Sequence, residues 1–171
     1  MKEFSDYDDA VADHFKRFNI KAIPVLSWEF NHQFLKKLQA VHADFTRLEA
    51  LASHFKWQEN DWDLKMRLKD QTILVTDKSL SIVFASHNLR LMNGYTEADV
   101  IGKTPKIFQG KETDLQTSSK IRMAVQDQQP FEETILNYKK DGSKYFCVIQ
   151  GFPVFDKSGE LCHFIAFETA A

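Results

Sequence analysis

Residues 131–169, FEETILNYKKDGSKYFCVIQGFPVFDKSGELCHFIAFET, decide the fold. Three runs rich in β-branched and aromatic residues, Phe131 to Lys139, Ser143 to Phe155 and Leu161 to Thr169, are parted by Lys140-Asp141-Gly142 and Asp156-Lys157-Ser158-Gly159. Both breaks have hairpin character, so the string reads as three consecutive antiparallel strands. A hairpin closed at Asp156 to Gly159 sets Cys147 across from Glu168. Side chains alternate, so Tyr145, Cys147, Ile149 and Gly151 share one face with Phe164, Ala166 and Glu168. That face is expected to line a pocket. The opposite face, with Phe146, Val148, Phe152, Ile165 and Phe167, is also apolar, although an antiparallel sheet in a small lone domain normally leaves one face polar. Something must cover it.

Upstream, Thr72 to Thr76 (TILVT) is β-branched and is followed by a polar turn, Asp77 to Ser79, and a second strand, Ser81 to Ala85. Asn88 to Tyr95 and Glu97 to Val100 read as short helices broken at Gly94 and Gly102, and residues 112–128 as a longer one with Thr113 or Asp114 near its start. The order strand, strand, helices, strand, strand, strand specifies an α+β fold: a five-stranded antiparallel sheet with helices gathered on one face.

The first seventy residues read as helical, because apolar residues recur at three and four positions and no Gly precedes Gly94. Residues 5–18 suit a short helix with Ser5 as N-cap and Asp6, Asp8 and Asp9 in its first turn. From about Ser27 a longer helix carries a seam of Phe34, Leu38, Val41, Phe45, Leu48, Ala52 and Phe55, widened by Leu35 and Leu51. Trp57 to Lys69 reads as a further helix. These helices are the available cover for the outer sheet face, from the same chain or exchanged across a homodimer. The expected division is a helical cap and dimerisation segment over residues 1–70 and a domain built on the sheet over 71–171.

Composition narrows the function. A chain of 171 residues with 43% apolar content supports one core. Lys and Arg number 22 against 24 Asp and Glu, which gives no broad positive field for nucleic acid. No apolar run approaches the length of a membrane span and the start MKEFSDYDDA is acidic, so a cytoplasmic protein is expected, without membrane or nucleic-acid partners. Cys147 and Cys162 lack metal or redox spacing, and the six histidines show no ligand pattern, so no metal is expected. No Gly-rich phosphate loop or Ser/His/Asp arrangement appears, and no catalysis is expected. The 15 Phe residues suit a core or ligand pocket built from flat side chains.

Several local phrases resemble the light-oxygen-voltage (LOV) flavin-binding subgroup of PAS domains. Ile82 to Ser86 (IVFAS), Gly94-Tyr95-Thr96 and Val100 to Lys103 look like the family's opening, and Gly102 to Gly110 (GKTPKIFQG) looks like its flavin signature GRNCRFLQG. KETD from Lys111, KIR from Lys120, ILNY from Ile135, Asp141-Gly142 and FIAFE from Phe164 follow in the family's order, so the resemblance runs from about Ile73 to Glu168. It implies the PAS fold, with a small-molecule pocket and flavin mononucleotide (FMN) as its family ligand.

Position by position the resemblance is mixed. The signature cysteine, which bonds the flavin after blue-light absorption, is replaced by Pro105, which has no nucleophile. The flavin-contacting Asn beside it is Thr104, a second such Asn aligns with Cys147, and the final-strand Gln that senses the flavin state aligns with Glu168. Gln109, at a position contacting the ligand tail, and Asn137, at one contacting the ring edge, are retained. Lys106 stands for one phosphate-binding Arg and Arg122 matches the other. With Ile149 and Ala166 from the pocket-facing strands, these are the candidate ligand contacts.

Each carries a plainer reading. Glu168 is either a proton-linked, ligand-contacting group or a strand-end carboxylate that reaches water. Cys147 is a reactive thiol or a small buried hydrophobe. Lys106 and Arg122 grip a phosphate or are solvated, and Gln109 and Asn137 contact a ligand or bond to backbone. His87, beside the second strand, is the one candidate axial ligand for a haem. The function expected is a non-enzymatic intracellular sensor that binds a small ligand or partner and signals through its N-terminal helices to a separate output protein. The alternative is a cysteine-less flavoprotein with redox or residual light chemistry.

Overall fold

The computed structural model describes residues 26–171, with side chains from residue 32 onward, so the helix expected over 5–18 lies outside the described residues. Helix α1 (Leu26–His54) begins one residue before the expected start at Ser27 and carries the apolar seam from Phe34 onward. It runs through two compact units, one ending at Leu38 and the other spanning Gln39–Ala171. In the first, Phe34, Leu35 and Leu38 are exposed.

In the second unit, α1 is followed by α2 (Leu64–Asp70), β1 (Thr72–Asp77), β2 (Ile82–Ala85), α3 (Asn88–Asn93) and α4 (Glu97–Val100). A 3-10 turn at Pro105–Phe108, α5 (Leu115–Gln126), β3 (Phe131–Tyr138), β4 (Lys144–Phe155) and β5 (Leu161–Ala170) complete the order. The strands form one antiparallel sheet in the order β2-β1-β5-β4-β3. Local chemistry sets the boundaries. Gly94 ends α3 in the left-handed region, Thr96 and Asp99 form a capping box on α4, and the Asp114 carboxylate accepts from the Gln116 and Thr117 amides to start α5.

Two expectations about element bounds and register fail. Trp57 to Lys69 is not one helix: Trp57 makes an isolated antiparallel bridge with Asp156, and only Leu64–Asp70 is helical, opened by Asp63 accepting from the Met66 amide. The register of the last hairpin is also displaced, because Cys147 pairs with Ala170, and Glu168 with Ile149. Gly159 at φ +85° lengthens the turn, and a bulge at the Val154/Phe155 step leaves Cys162 without an opposite number. The total slip is even, so each side chain keeps its expected face.

The outer face is covered from α1 onward. Buried Val41 and Leu48 pack with Trp57 and Leu68 against Ile73, Val75, Phe84, Val154, Ile165 and Phe167. Trp62 adds ring contacts to Phe152 and Phe167 at centroid distances of 5.5 and 5.9 Å, and the Arg67 guanidinium lies 4.1 Å over Phe167. Burial of side chains this large is worth about 1.5–3 kcal/mol each, which fixes the helix on the sheet. The cover stops short of Phe146, which is 56% exposed, contrary to the expectation that the whole outer face is sealed. A polar tie adds direction: the buried Asp44 carboxylate accepts from the His87 backbone N–H at 2.7 Å and meets its ring Nδ1 at 2.7 Å, while Arg47 pairs with Glu97.

Candidate functional site

Between the inner sheet face and the segments from Thr104 to Val125 lies a cavity of about 410 Å³, within the range of small-molecule sites. Its walls are built by alternation: Leu74 and Thr76 from β1, Ala166 and Glu168 from β5, Ile149 and Gly151 from β4, and Phe131, Ile135 and Asn137 from β3. Pro105 opens the 3-10 turn at its first position, where a missing N–H costs nothing, and that turn presents Phe108 to the cavity. From α5, Ile121 and Val125 close the opposite wall. Gly151 has a steric duty, because a Cβ there would fall 2.3 Å from the Phe131 ring.

Eight of the nine candidate residues line this cavity: Thr104, Lys106, Gln109, Arg122, Asn137, Ile149, Ala166 and Glu168. Lys106 and Arg122 are exposed, as is Thr104, while Asn137 and Glu168 are buried. Cys147 does not reach the cavity and packs instead with Ile135 and Tyr145. Burial, and secondarily the Glu168 charge, push its thiol far up, so it is a packed hydrophobe and no nucleophile. His87 is also elsewhere, held by Asp44 on the α1 side, which removes the haem candidate. Thr76, Phe108 and Phe131 were not anticipated, although Thr76 shares the even parity of Leu74 and was open to the same alternation argument.

Three polar groups give the cavity its chemistry. Asn137 Oδ1 and Thr76 Oγ1 are buried and have no hydrogen-bond partner. Such orphans cost stability unless a ligand or water meets them. The third is Glu168, 3% exposed, whose Oε2 accepts only a long contact from Cys147 Sγ at 3.9 Å. Burial pushes this carboxyl up from 4.5 to about 7, with the thiol contact opposing slightly. The strand end therefore does not deliver it to water. Tyr145, also on β4, accepts from Asn93 Nδ2 at 3.3 Å, and burial raises its phenol.

The donor set suits a flavin in part. Apolar walls match a flat ring, the orphaned Asn137 oxygen awaits a donor, and exposed Lys106 and Arg122 flank the lining as phosphate partners would. The cysteine is absent, because Pro105 occupies its place.

Known proteins point the same way. A family model described as "PAS domain" matches residues 70–169. Protein TWIN LOV 1 of Arabidopsis thaliana is 36% identical over 98 residues, which is 55% of this chain and 25% of that protein. A blue-light-activated histidine kinase of Brucella anthropi is 30% identical over 122 residues, covering 70% of this chain and 25% of that one. The chain thus spans about a quarter of the length of these relatives. Among solved structures, the dark structure of the blue-light photoreceptor Aureochrome1 LOV superposes with a TM-score of 0.60 at 26% identity, covering 67% of this chain and 86% of that one.

Proposed function

We propose, on the premise that the chain belongs to the PAS-domain family, that it is a non-catalytic sensory module whose cavity holds a small planar molecule and whose α1–α2 cover carries the signal. The observation that carries this reading is the pair of unpartnered oxygens, Asn137 Oδ1 and Thr76 Oγ1, in a mostly apolar cavity. Strand β5 supplies a path outward. Glu168 faces the cavity and its neighbour Phe167 faces Trp62 and Arg67, so a shift of one residue moves the other. Residues 1–70 would serve as cover and homodimer contact, with the exposed Phe34, Leu35 and Leu38 as the dimer seam, and 71–171 as the sensor. A separate signalling protein would read the cover.

The second reading makes the ligand FMN, and retained Gln109 and Asn137, matching Arg122 and Lys106 in place of a second Arg, all around the lining, favour it. Bound flavin would supply blue-light absorption and reversible redox chemistry. Pro105 denies it a thioether. Mixing purified protein with FMN and removing free flavin by gel filtration tests this: retained flavin absorbance is expected, without adduct-type bleaching on illumination. Hydrogen exchange over α1 should slow or quicken with ligand. FMN that washes out ends the flavin reading, and ligand that leaves α1 exchange unchanged ends the signalling role of the cover.

A further inference from the structure

We propose that His163 is a pH-operated latch for α1: as a neutral ring it accepts a hydrogen bond from the Trp57 indole and holds the helix end on the sheet, and on taking up a proton it lets that end go. The latch lies on the outer sheet face, away from the cavity, and does not rest on a ligand being bound. His163 of β5 is 2% exposed, and Trp57 Nε1 donates to its Nδ1 at 3.1 Å. The Phe55 ring meets the imidazole edge to face at a centroid distance of 4.5 Å, and the Trp57 ring lies at 5.5 Å. Backbone bonds join the same segment to the turn between β4 and β5: the Gln58 N–H donates to the Phe155 carbonyl and the Lys157 N–H to the Lys56 carbonyl, both at 2.9 Å. Between the two rings Lys56 sits at φ +52°, a left-handed conformation that a lysine keeps only while its neighbours hold it.

An indole nitrogen only donates, so the bond needs a bare lone pair on Nδ1 and puts the neutral ring's proton on Nε2. Protonation places an N–H on both nitrogens, and donor then faces donor. Burial opposes the charge most, Asp77 opposite His163 on β1 favours it and Lys78 opposes it, so the imidazole is displaced downward from its ordinary 6.5. Asp77 already accepts from Ser79 and Ser81, and Lys78 pairs with Glu160. On β4 the register partner is uncharged Val154, whose carbonyl accepts from the Cys162 thiol, and Asp156 in the turn accepts from Ser158 and the Glu160 amide. On the helix side stand His54, packed on Phe55, and exposed Lys56; Lys157 is exposed in the turn. Because the folded ring titrates below 6.5, the latch is fully closed above that pH and is lost as pH falls through the lower folded value. Acidification is thereby a second input to the α1 cover, beside whatever the cavity holds.

Hydrogen exchange of the full chain without ligand, followed by NMR, reads the latch. Between pH 8 and pH 5, protection of the Trp57, Gln58 and Lys157 amides, corrected for intrinsic exchange chemistry, should fall by between about threefold and thirtyfold, the upper figure being the ratio for an imidazole that regains 6.5 on opening. His163→Asn, which keeps an acceptor at the Nδ1 position and cannot titrate, should hold its protection over the same range. His87, beside Asp44 on the other tie of α1, is common to both proteins and cancels. Wild-type and variant profiles that coincide overturn the proposal. Should the Asn variant misfold, the wild type decides alone through its ring-nitrogen spectra: Nδ1 of His163 should be bare at pH 8 and gain its proton as protection falls. A proton on Nδ1 at pH 8, or protection unmoved while the ring titrates, overturns the latch.

Discussion

Replacing Glu168 by Gln should stabilise the protein, and by an amount that depends on pH in a defined direction. The folded carboxyl titrates near 7 and the ordinary value is 4.5, so between these the native state holds a proton that the unfolded chain has released. Stability is therefore fully present below 4.5 and falls as pH rises through 7. At about 1.36 kcal/mol per pH unit the full displacement costs about 3 kcal/mol, of which less than 1 is felt at pH 5 and nearly all at pH 8. The Gln side chain has similar shape and no charge to desolvate. Urea denaturation followed by tryptophan fluorescence, at pH 5 and pH 8, should show the variant gaining about 2 kcal/mol or more on wild type between the two conditions. Other titrations cancel in this double difference. Parallel pH profiles, agreeing within about 0.5 kcal/mol, would refute the account of Glu168 as an unpaired buried acid.

Three further outcomes follow from the packing and the missing nucleophile. Deleting residues 1–56 strips Val41 and Leu48 from the outer sheet face, and the remaining core should melt earlier or aggregate; a soluble fragment of unchanged Tm would show that α1 is no cover. Gly151→Ala drives a Cβ into the Phe131 ring, so a loss of about 1–3 kcal/mol and altered riboflavin affinity are expected by denaturation and fluorescence titration. Pro105→Cys restores a thiol at the family position, and blue-light bleaching of bound FMN that appears only in this variant would check the alignment through Gly102 to Gly110.

The pocket face was legible because alternation survives any even slip: Ala166, Glu168 and Ile149 face inward whether the turn is read from Asp156-Gly159 or from its observed, longer form. Which residue opposes which was not, since Gly159 and the bulge at Cys162 add residues one at a time and no composition signal marks a bulge. Burial of Glu168 also needed the fold. In sequence it stands next to Thr169 near a strand end, yet β1 and β4 flank it on both sides. Trp57 to Lys69 misled because Trp57, Leu64 and Leu68 all face the same core, and a chain that turns between them imitates helical spacing. Cys147 was drawn into the site by its aligned position and by strand alternation, whereas its side chain packs with Ile135 and Tyr145.

Strand β5 is both the last of the five in sequence and the central one in space. Until it inserts, β2-β1 and β3-β4 are two separate hairpin-like ribbons, each with an open edge and neither able to enclose the cavity. Assembly must therefore wait for residues 161–170 to leave the ribosome, and pairing β1 with β5 spans nearly a hundred residues. Contacts of such sequence separation are late and slow to form. The nascent chain thus passes through a stage in which Phe167 and Ile165 have yet to join Ile73 and Val75, and that unpaired β1 edge is where misassembly between copies would begin.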